Sequence, residues 1–140
     1  MHIFIKSWLK FILQITITKH IITVDEYSTE NAIEALNRLI RHGMIHPDDY
    51  ISCDIDYDVT IGINWDAGTD SPEHYPVKFH PASKNGYHVW ITSLTAGYGG
   101  TGPHGTLDAL KLMGFHVTES EEHKILTQDD GPHVVLSITK

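Results

Sequence analysis

The sequence predicts one α+β domain over residues 1–140, with a mainly antiparallel sheet of about five to seven strands and two helices packed on one face. Three observations support this fold class. An amphipathic helix follows the first strand, short apolar segments are joined by turn signals, and no linker or repeat divides the 140 residues. Short strands connected by hairpins favour an antiparallel sheet with its helices gathered on one side.

The individual elements follow from periodicity and from cap residues. Apolar and polar residues alternate over 11–18, which predicts a strand, and we expect residues 20–24 to extend it. A helix begins after Ser28, a good N-cap, and Gly43 suits its C-terminal end. Turn sequences predict hairpins at 83–86 and 129–131. Further strands are predicted at 50–57, 59–65, 76–80, 87–94, 124–128 and 133–139, with a second helix at 106–113.

The charge balance narrows the class of partner. The formal net charge is −8 at pH 7, from 18 acidic and 10 basic residues. An acidic protein repels the phosphates of nucleic acids and of membrane surfaces, so we expect neither as a partner and favour a basic protein. Full protonation of the 11 histidines would raise the formal charge from −8 to +3. We therefore expect charge-driven binding to weaken below about pH 6.

Two features favour a cytoplasmic location. Lysines interrupt the apolar N-terminus, so it lacks the roughly 20 apolar residues of a membrane span, and it has no pattern typical of a secretory cleavage site. The chain also has one cysteine, Cys53, which excludes an intramolecular disulfide and fits a reducing compartment. We expect a cytoplasmic protein.

The segment 97–105 contains five glycines in nine residues and lies between a predicted strand and a predicted helix. Gly97, Gly99 and Gly102 match the G-x-G-x-x-G pattern that holds a pyrophosphate at a helix N-terminus. Hairpins rather than βαβ units precede it, and too few residues follow to complete a dinucleotide-binding sheet. A nucleotide-binding module or small enzyme is therefore the second interpretation. The first is a structural or partner-facing loop that displays three candidate contacts, Tyr98, Thr101 and His104.

Asp54, Asp56 and Asp58 recur with a period of two, which on a strand directs all three carboxylates to one face. An EF-hand loop would need glycine where Val59 stands, so calcium binding of that type is excluded. Two interpretations stay open: a solvated strand face, or a row that contacts basic groups of a partner. We expect no catalytic residue, no cofactor and no bound metal, because no metal-ligating or nucleophilic motif is complete. The neighbouring Asp54 would also raise the pKa of the Cys53 thiol and make it a poor nucleophile.

The sequences GYGGTGP at 97–103, LDAL at 107–110 and GF at 114–115 form a glycine-turn-helix segment. With the acidity and the small α+β domain, this segment resembles the small immunity proteins of bacterial polymorphic-toxin and contact-dependent inhibition systems. The resemblance implies a cytoplasmic protein that binds a cognate toxin, such as a basic nuclease, and blocks it. The partner-binding residues that we predict are Asp54, Asp56, Asp58, Tyr98, Thr101 and His104.

Overall fold

A mixed seven-stranded sheet forms the centre of the fold, in a computed structural model that describes residues 3–4, 14–57, 75–97, 99–127 and 135–140. The strands are β1 (Ile3–Phe4), β2 (Ile15–Thr18), β3 (Ile21–Val24), β4 (Tyr50–Asp56), β5 (Val77–Pro81), β6 (His88–Ile91) and β7 (Val135–Thr139). They lie in the order β1-β2-β3-β6-β5-β4-β7. Neighbouring strands are antiparallel, except that β3 and β6 run parallel.

Three helices occur in the described part of the chain, so the α+β class is confirmed with one helix more than expected. They are α1 (Thr29–Arg41), α2 (Thr101–Leu112) and α3 (Glu119–Leu126), and a 3-10 turn at Pro47–Asp49 leads into β4. All three contribute side chains to one hydrophobic core. The helices run for 13, 12 and 8 residues, and within the described ranges none combines the length and hydropathy of a membrane span.

Helix α1 forms where the local signals and the apolar face agree, as the sequence predicts. The Ser28 hydroxyl accepts a hydrogen bond from the Asn31 amide at 3.1 Å, which satisfies one of the free N–H groups of the first turn. At the other end Gly43 takes a φ of 71°, a left-handed conformation that favours glycine. The buried face that packs on the sheet consists of Ala32, Ala35, Leu36 and Leu39.

The sheet has one apolar face and one polar face, because successive side chains of a strand point in opposite directions. On β4, Cys53 and Ile55 are fully buried in the core that the helices cover. Asp54 and Asp56 alternate with them and therefore point the other way, as expected for the aspartate row. We call this second surface the polar face and define it by Asp54, Lys78, His80, His88, Trp90 and Ser137.

Of the two predicted hairpins, the one at 83–86 forms and the one at 129–131 does not, and the predicted course of the first strand is also corrected. The hairpin at 83–86 is confirmed, since β5 and β6 pair antiparallel on either side of it. The expected extension of the first strand by residues 20–24 is wrong: Lys19 adopts a φ of 55° and β3 folds back antiparallel on β2. The hairpin at 129–131 is not formed as expected: residues 124–126 of its first arm belong to α3, β7 pairs with β4, and the turn residues lie outside the described residues.

The second and third helices correct the predicted boundaries. Helix α2 begins at Thr101, inside the glycine run, rather than at residue 106. The strand expected at 124–128 is helical up to Leu126. Thr118 and Glu121 cap that helix reciprocally, since the Glu121 amide donates to Thr118 Oγ1 and the Thr118 amide donates to Glu121 Oε1. The strand expected at 59–65, and the site residues Asp58 and Tyr98, lie outside the described residues.

Candidate functional site: an acidic groove between two helices

The glycine run serves helix packing. Gly100 is the N-cap of α2, and Gly102 and Gly105 are buried in its first turns. Gly97 has a φ of 96° and its amide donates to the Ile125 carbonyl at 2.8 Å, which joins the segment before α2 to α3. Glycine is needed at Gly97 for its backbone conformation and at Gly105 for its lack of a side chain.

Helices α1 and α2 approach each other closely at their N-terminal ends. A Cβ atom at Gly105 would lie 2.2 Å from Thr29 Cγ2, well inside the distance at which carbon atoms can pack. Hydroxyl groups fix the same region, because Thr29 Oγ1 donates to the Ser93 carbonyl at 3.0 Å and Thr106 Oγ1 donates to the Thr95 carbonyl at 2.6 Å. The two helix ends therefore hold a defined position over the sheet.

An open groove of about 650 Å³ lies along this contact. Its charged lining residues come from both helices, with Glu30, Glu34 and Arg38 on α1 and Asp108 on α2. Thr101, His104 and Gly105 complete its α2 side. Among the lining residues that the structure describes, three carboxylates against one guanidinium make the groove acidic.

The one arginine of the groove is already paired. Arg38 Nε lies 2.8 Å from Glu34 Oε1, and Arg41 Nη2 approaches the same oxygen at 3.2 Å. The hydrogen bond from Arg38 lowers the pKa of Glu34, and the charges of both arginines lower it further, so Glu34 stays ionised. Within the described ranges Glu30 and Asp108 have no ion pair. The groove therefore presents two uncompensated negative charges.

His104 adds a hydrogen-bonding group of fixed polarity to the groove. Its Nδ1 lies 2.8 Å from the Gly100 carbonyl oxygen. A carbonyl can only accept, so Nδ1 must carry the proton and Nε2 is the lone-pair acceptor of the neutral ring. Neutral His104 can then accept a hydrogen bond from a donor bound in the groove, whereas its protonated form would repel a cation.

The aspartate row lies elsewhere and is partly engaged within the molecule. Asp54 Oδ1 accepts a hydrogen bond from Ser137 Oγ at 2.6 Å, and its Oδ2 lies 3.0 Å from His80 Nε2. Lys78 is the register partner of Asp54 on β5. Asp54 is thus a member of a hydrogen-bonded network on the polar face, with less capacity left for a partner than the sequence suggested.

The predicted partner-binding residues therefore divide between two sides of the sheet. Thr101 and His104 line the groove on the helical side, while Asp54 and Asp56 belong to the polar face. The sequence analysis missed the acidic groove residues. The sequence does contain a pattern that indicates them. Glu30 and Glu34 are four residues apart, as are His104 and Asp108, and this spacing places the members of each pair on one helix face.

The described residues provide neither an accessible cysteine thiol nor a cluster of metal ligands. Cys53 is fully buried, and burial together with the Asp54 charge raises the pKa of its thiol, as expected. Within the ranges that the structure covers, no three His, Cys, Asp or Glu side chains come together as metal ligands would. No family model, no curated protein and no solved structure matches this chain.

Proposed function

We propose that this chain is an immunity-type binding protein that captures a basic toxin domain through the groove between α1 and α2. The observation that carries the proposal is a pair of carboxylates, Glu30 and Asp108, which lie on opposite walls of one open groove and have no ion pair with another described residue. An arginine or lysine of the partner would lie between them, where a guanidinium can bind two carboxylates. Neutral His104 offers a further acceptor to the same cation.

The charge of the whole chain supports the same class of partner. With a formal net charge of −8, the protein attracts a basic domain over a distance and accelerates the encounter. A stable complex would bury about 1,200–2,000 Å² in total, so the groove would be the centre of a larger contact. Blocking a phosphate-binding cleft with carboxylates would neutralise a nuclease without any catalysis by this chain.

The nucleotide-binding alternative has weaker support in the geometry. A phosphate needs free N–H groups and a positive or neutral surrounding at the helix N-terminus. At α2, Gly102 and Gly105 are buried by packing, and the adjoining groove carries three carboxylates. Those carboxylates would repel a pyrophosphate.

The groove is tested with a hexa-arginine peptide, whose binding is measured by calorimetry and by amide chemical shifts. We expect shifts centred on Glu30, His104 and Asp108, and a loss of affinity of about tenfold or more in E30K/D108K. The matched control is D48K/E119K, which makes the same change of net charge at exposed acidic residues outside the groove. Equal loss in both double variants would show that only net charge matters and would overturn the groove assignment.

The biological role is tested by identifying the genes next to this chain's gene and by co-expressing the chain with any toxin domain that they encode. We expect the wild-type chain to restore growth and to form a purifiable complex with the toxin, and E30K/D108K to do neither. Absence of protection by the wild-type chain, with the toxin shown to be active, would refute the immunity role. Protection that survives in E30K/D108K would refute the groove as the site and leave the role intact.

A further inference from the structure

Two histidines meet end to end on the polar face. His80 on β5 and His88 on β6 are joined through their Nδ1 atoms, which lie 2.8 Å apart. The remote nitrogen of His80, Nε2, lies 3.0 Å from Asp54 Oδ2, and Ser137 Oγ donates to the other oxygen of that carboxylate. A continuous hydrogen-bonded chain thus crosses four strands from β7 to β6.

The approach of the two imidazoles is head-on. Their ring centres are 5.1 Å apart, which exceeds the nitrogen separation by 2.3 Å, about twice the radius of a five-membered ring. Both Nδ1 atoms therefore lie close to the line between the ring centres. An ion bonded to both nitrogens at about 2.0 Å does not fit on that line. The contact is an N–H···N hydrogen bond that contains one proton.

The hydrogen bond to Asp54 limits the protonation states that are compatible with this contact. The Asp54 carboxylate accepts a hydrogen bond from the N–H at His80 Nε2, so in the neutral pair His80 Nδ1 has the lone pair and His88 Nδ1 carries the hydrogen. A first added proton leaves one N–H between the rings, whichever ring holds the charge. A second proton puts an N–H on both Nδ1 atoms, and two donors cannot share a hydrogen bond.

We propose that His80 and His88 form an acid-sensitive latch between β5 and β6, closed while the pair shares a proton and opened when both rings are protonated. We expect the opening to affect two hydrogen bonds at the start of β6. There the His88 amide donates to the His20 carbonyl at 2.7 Å and the Tyr50 hydroxyl donates to the Tyr87 carbonyl at 2.6 Å. Mutual repulsion of two imidazolium rings would strain both of these bonds.

The surrounding charges favour two separate titration steps. Burial lowers the pKa of His88, and the nearby His80 and His20 imidazoles lower it further, so the second proton is resisted. Asp54, by contrast, stabilises a single positive charge on the pair. Two further charged groups within the described ranges lie on the same side of the sheet: Lys78, two residues from His80 on β5, and Asp56 on β4, which lies further from His80 because the register partner of His80 is Ser52. Interacting sites of this kind titrate as a pair with two macroscopic midpoints.

The test is an NMR titration of the histidine side chains of the wild-type chain from pH 8 to 4.5. We expect the pair to titrate in two steps, with the His88 midpoint below the ordinary histidine value of 6.5. The Nδ1 tautomer signals should show the shared proton until the second step. Two independent titrations, with no lowering of the His88 midpoint, would overturn the proposal.

Amide exchange measures the effect of the opening on the hydrogen bond between the His88 amide and the His20 carbonyl. Below the second midpoint we expect the protection factor of the His88 amide to fall about tenfold or more. The Thr92 amide, which donates to the Val24 carbonyl at 3.0 Å at the other end of the same strand pair, is the matched control and should keep its protection. In H80Q the His88 midpoint should rise, and in H104Q it should stay unchanged. Equal loss of protection at His88 and Thr92 would indicate general unfolding and refute a local latch.

Discussion

Thr29 Cγ2 lies only 2.2 Å from the position that a Cβ atom would take at Gly105, so the first turns of α1 and α2 touch through a side chain and a bare backbone. This contact sets the spacing of the two helices and with it the width of the acidic groove. The glycine run therefore contributes to the site by permitting close packing, and the chemical groups come from the helices on either side.

The first prediction tests that contact. G105A should lower the free energy of unfolding by about 1–3 kcal/mol, because the added methyl group must displace Thr29 or the helix that carries it. Adding T29S removes Cγ2 but keeps the hydroxyl that donates to Ser93, so the double variant should recover the part of the loss due to Thr29, while Leu94 Cδ2, 3.1 Å from the added Cβ, still has to shift slightly. Urea denaturation monitored by circular dichroism gives all three values.

G99A is the matched control for this experiment, since a Cβ at Gly99 meets nothing within 4 Å. Its effect should stay within about 0.5 kcal/mol. A loss in G99A as large as that in G105A would mean that glycine is required for backbone conformation rather than for packing.

The second prediction concerns the cap of α3. T118A removes the hydroxyl that accepts from the Glu121 amide at 3.1 Å, and should cost about 1 kcal/mol of stability. Helix α3 has only 8 residues, so the loss should also appear as reduced helical signal at 222 nm. S120A, an exposed serine in the same turn, should leave both measurements nearly unchanged. Equal effects in the two variants would contradict the capping role.

The outcome for the three helices shows what local sequence can predict. Helix α1 was predictable because the Ser28 cap, the apolar face and the Gly43 terminus all agree. The start of α2 was not, because glycines disfavour helix by about 1 kcal/mol each, and burial against α1 outweighs that preference. Helix α3 was readable from the Thr118–Glu121 capping pair, but the apolar residues after it resembled a strand.

Local sequence patterns could not predict which elements far apart in the chain contact each other. Nothing in β3 or β6 by itself indicates that they pair in parallel, since the segments lie far apart in the chain and share only apolar composition. The candidate site also depends on a contact between elements that are far apart in the chain. Glu30 and Asp108 form one groove only because α1 packs on α2, so the sequence could indicate an acidic protein but could not locate its acidic surface.

The third prediction tests the link between β3 and β6 just beyond the parallel pair. Thr92 is buried, and its hydroxyl accepts a hydrogen bond from the Glu26 amide at 2.8 Å and lies in donating distance of the Glu26 carbonyl at 2.7 Å and of the Val24 carbonyl at 3.0 Å. T92V keeps the shape but leaves that buried amide without its acceptor, which should cost about 1–3 kcal/mol. T139V, at an exposed position of β7, should change stability by less than about 0.5 kcal/mol. Thermal and urea unfolding measure the stability of both variants. A T92V variant as stable as the wild type would show that this hydroxyl does not contribute to stability.

The fourth prediction concerns the carboxyl group of Glu26, a residue that is only 7% exposed. Burial raises its pKa, the Gln14 amide that donates to Oε1 at 2.6 Å opposes this, and the Asp25 charge adds to the increase. Because the folded chain binds this proton more tightly than the unfolded chain, ionised Glu26 lowers stability above its folded pKa. E26Q, which can still accept from Gln14, should therefore be more stable than the wild type at pH 7.

The advantage of E26Q should shrink as the pH falls through the folded pKa of Glu26 towards its ordinary value of 4.5, since both chains then hold a neutral side chain there. Urea denaturation at a series of pH values between 7 and 4 measures this difference. E119Q, at an exposed glutamate, gives the background effect of the same substitution. If the advantage of E26Q grew on acidification, burial would be stabilising the ionised carboxylate, and the site would have the opposite electrostatic character.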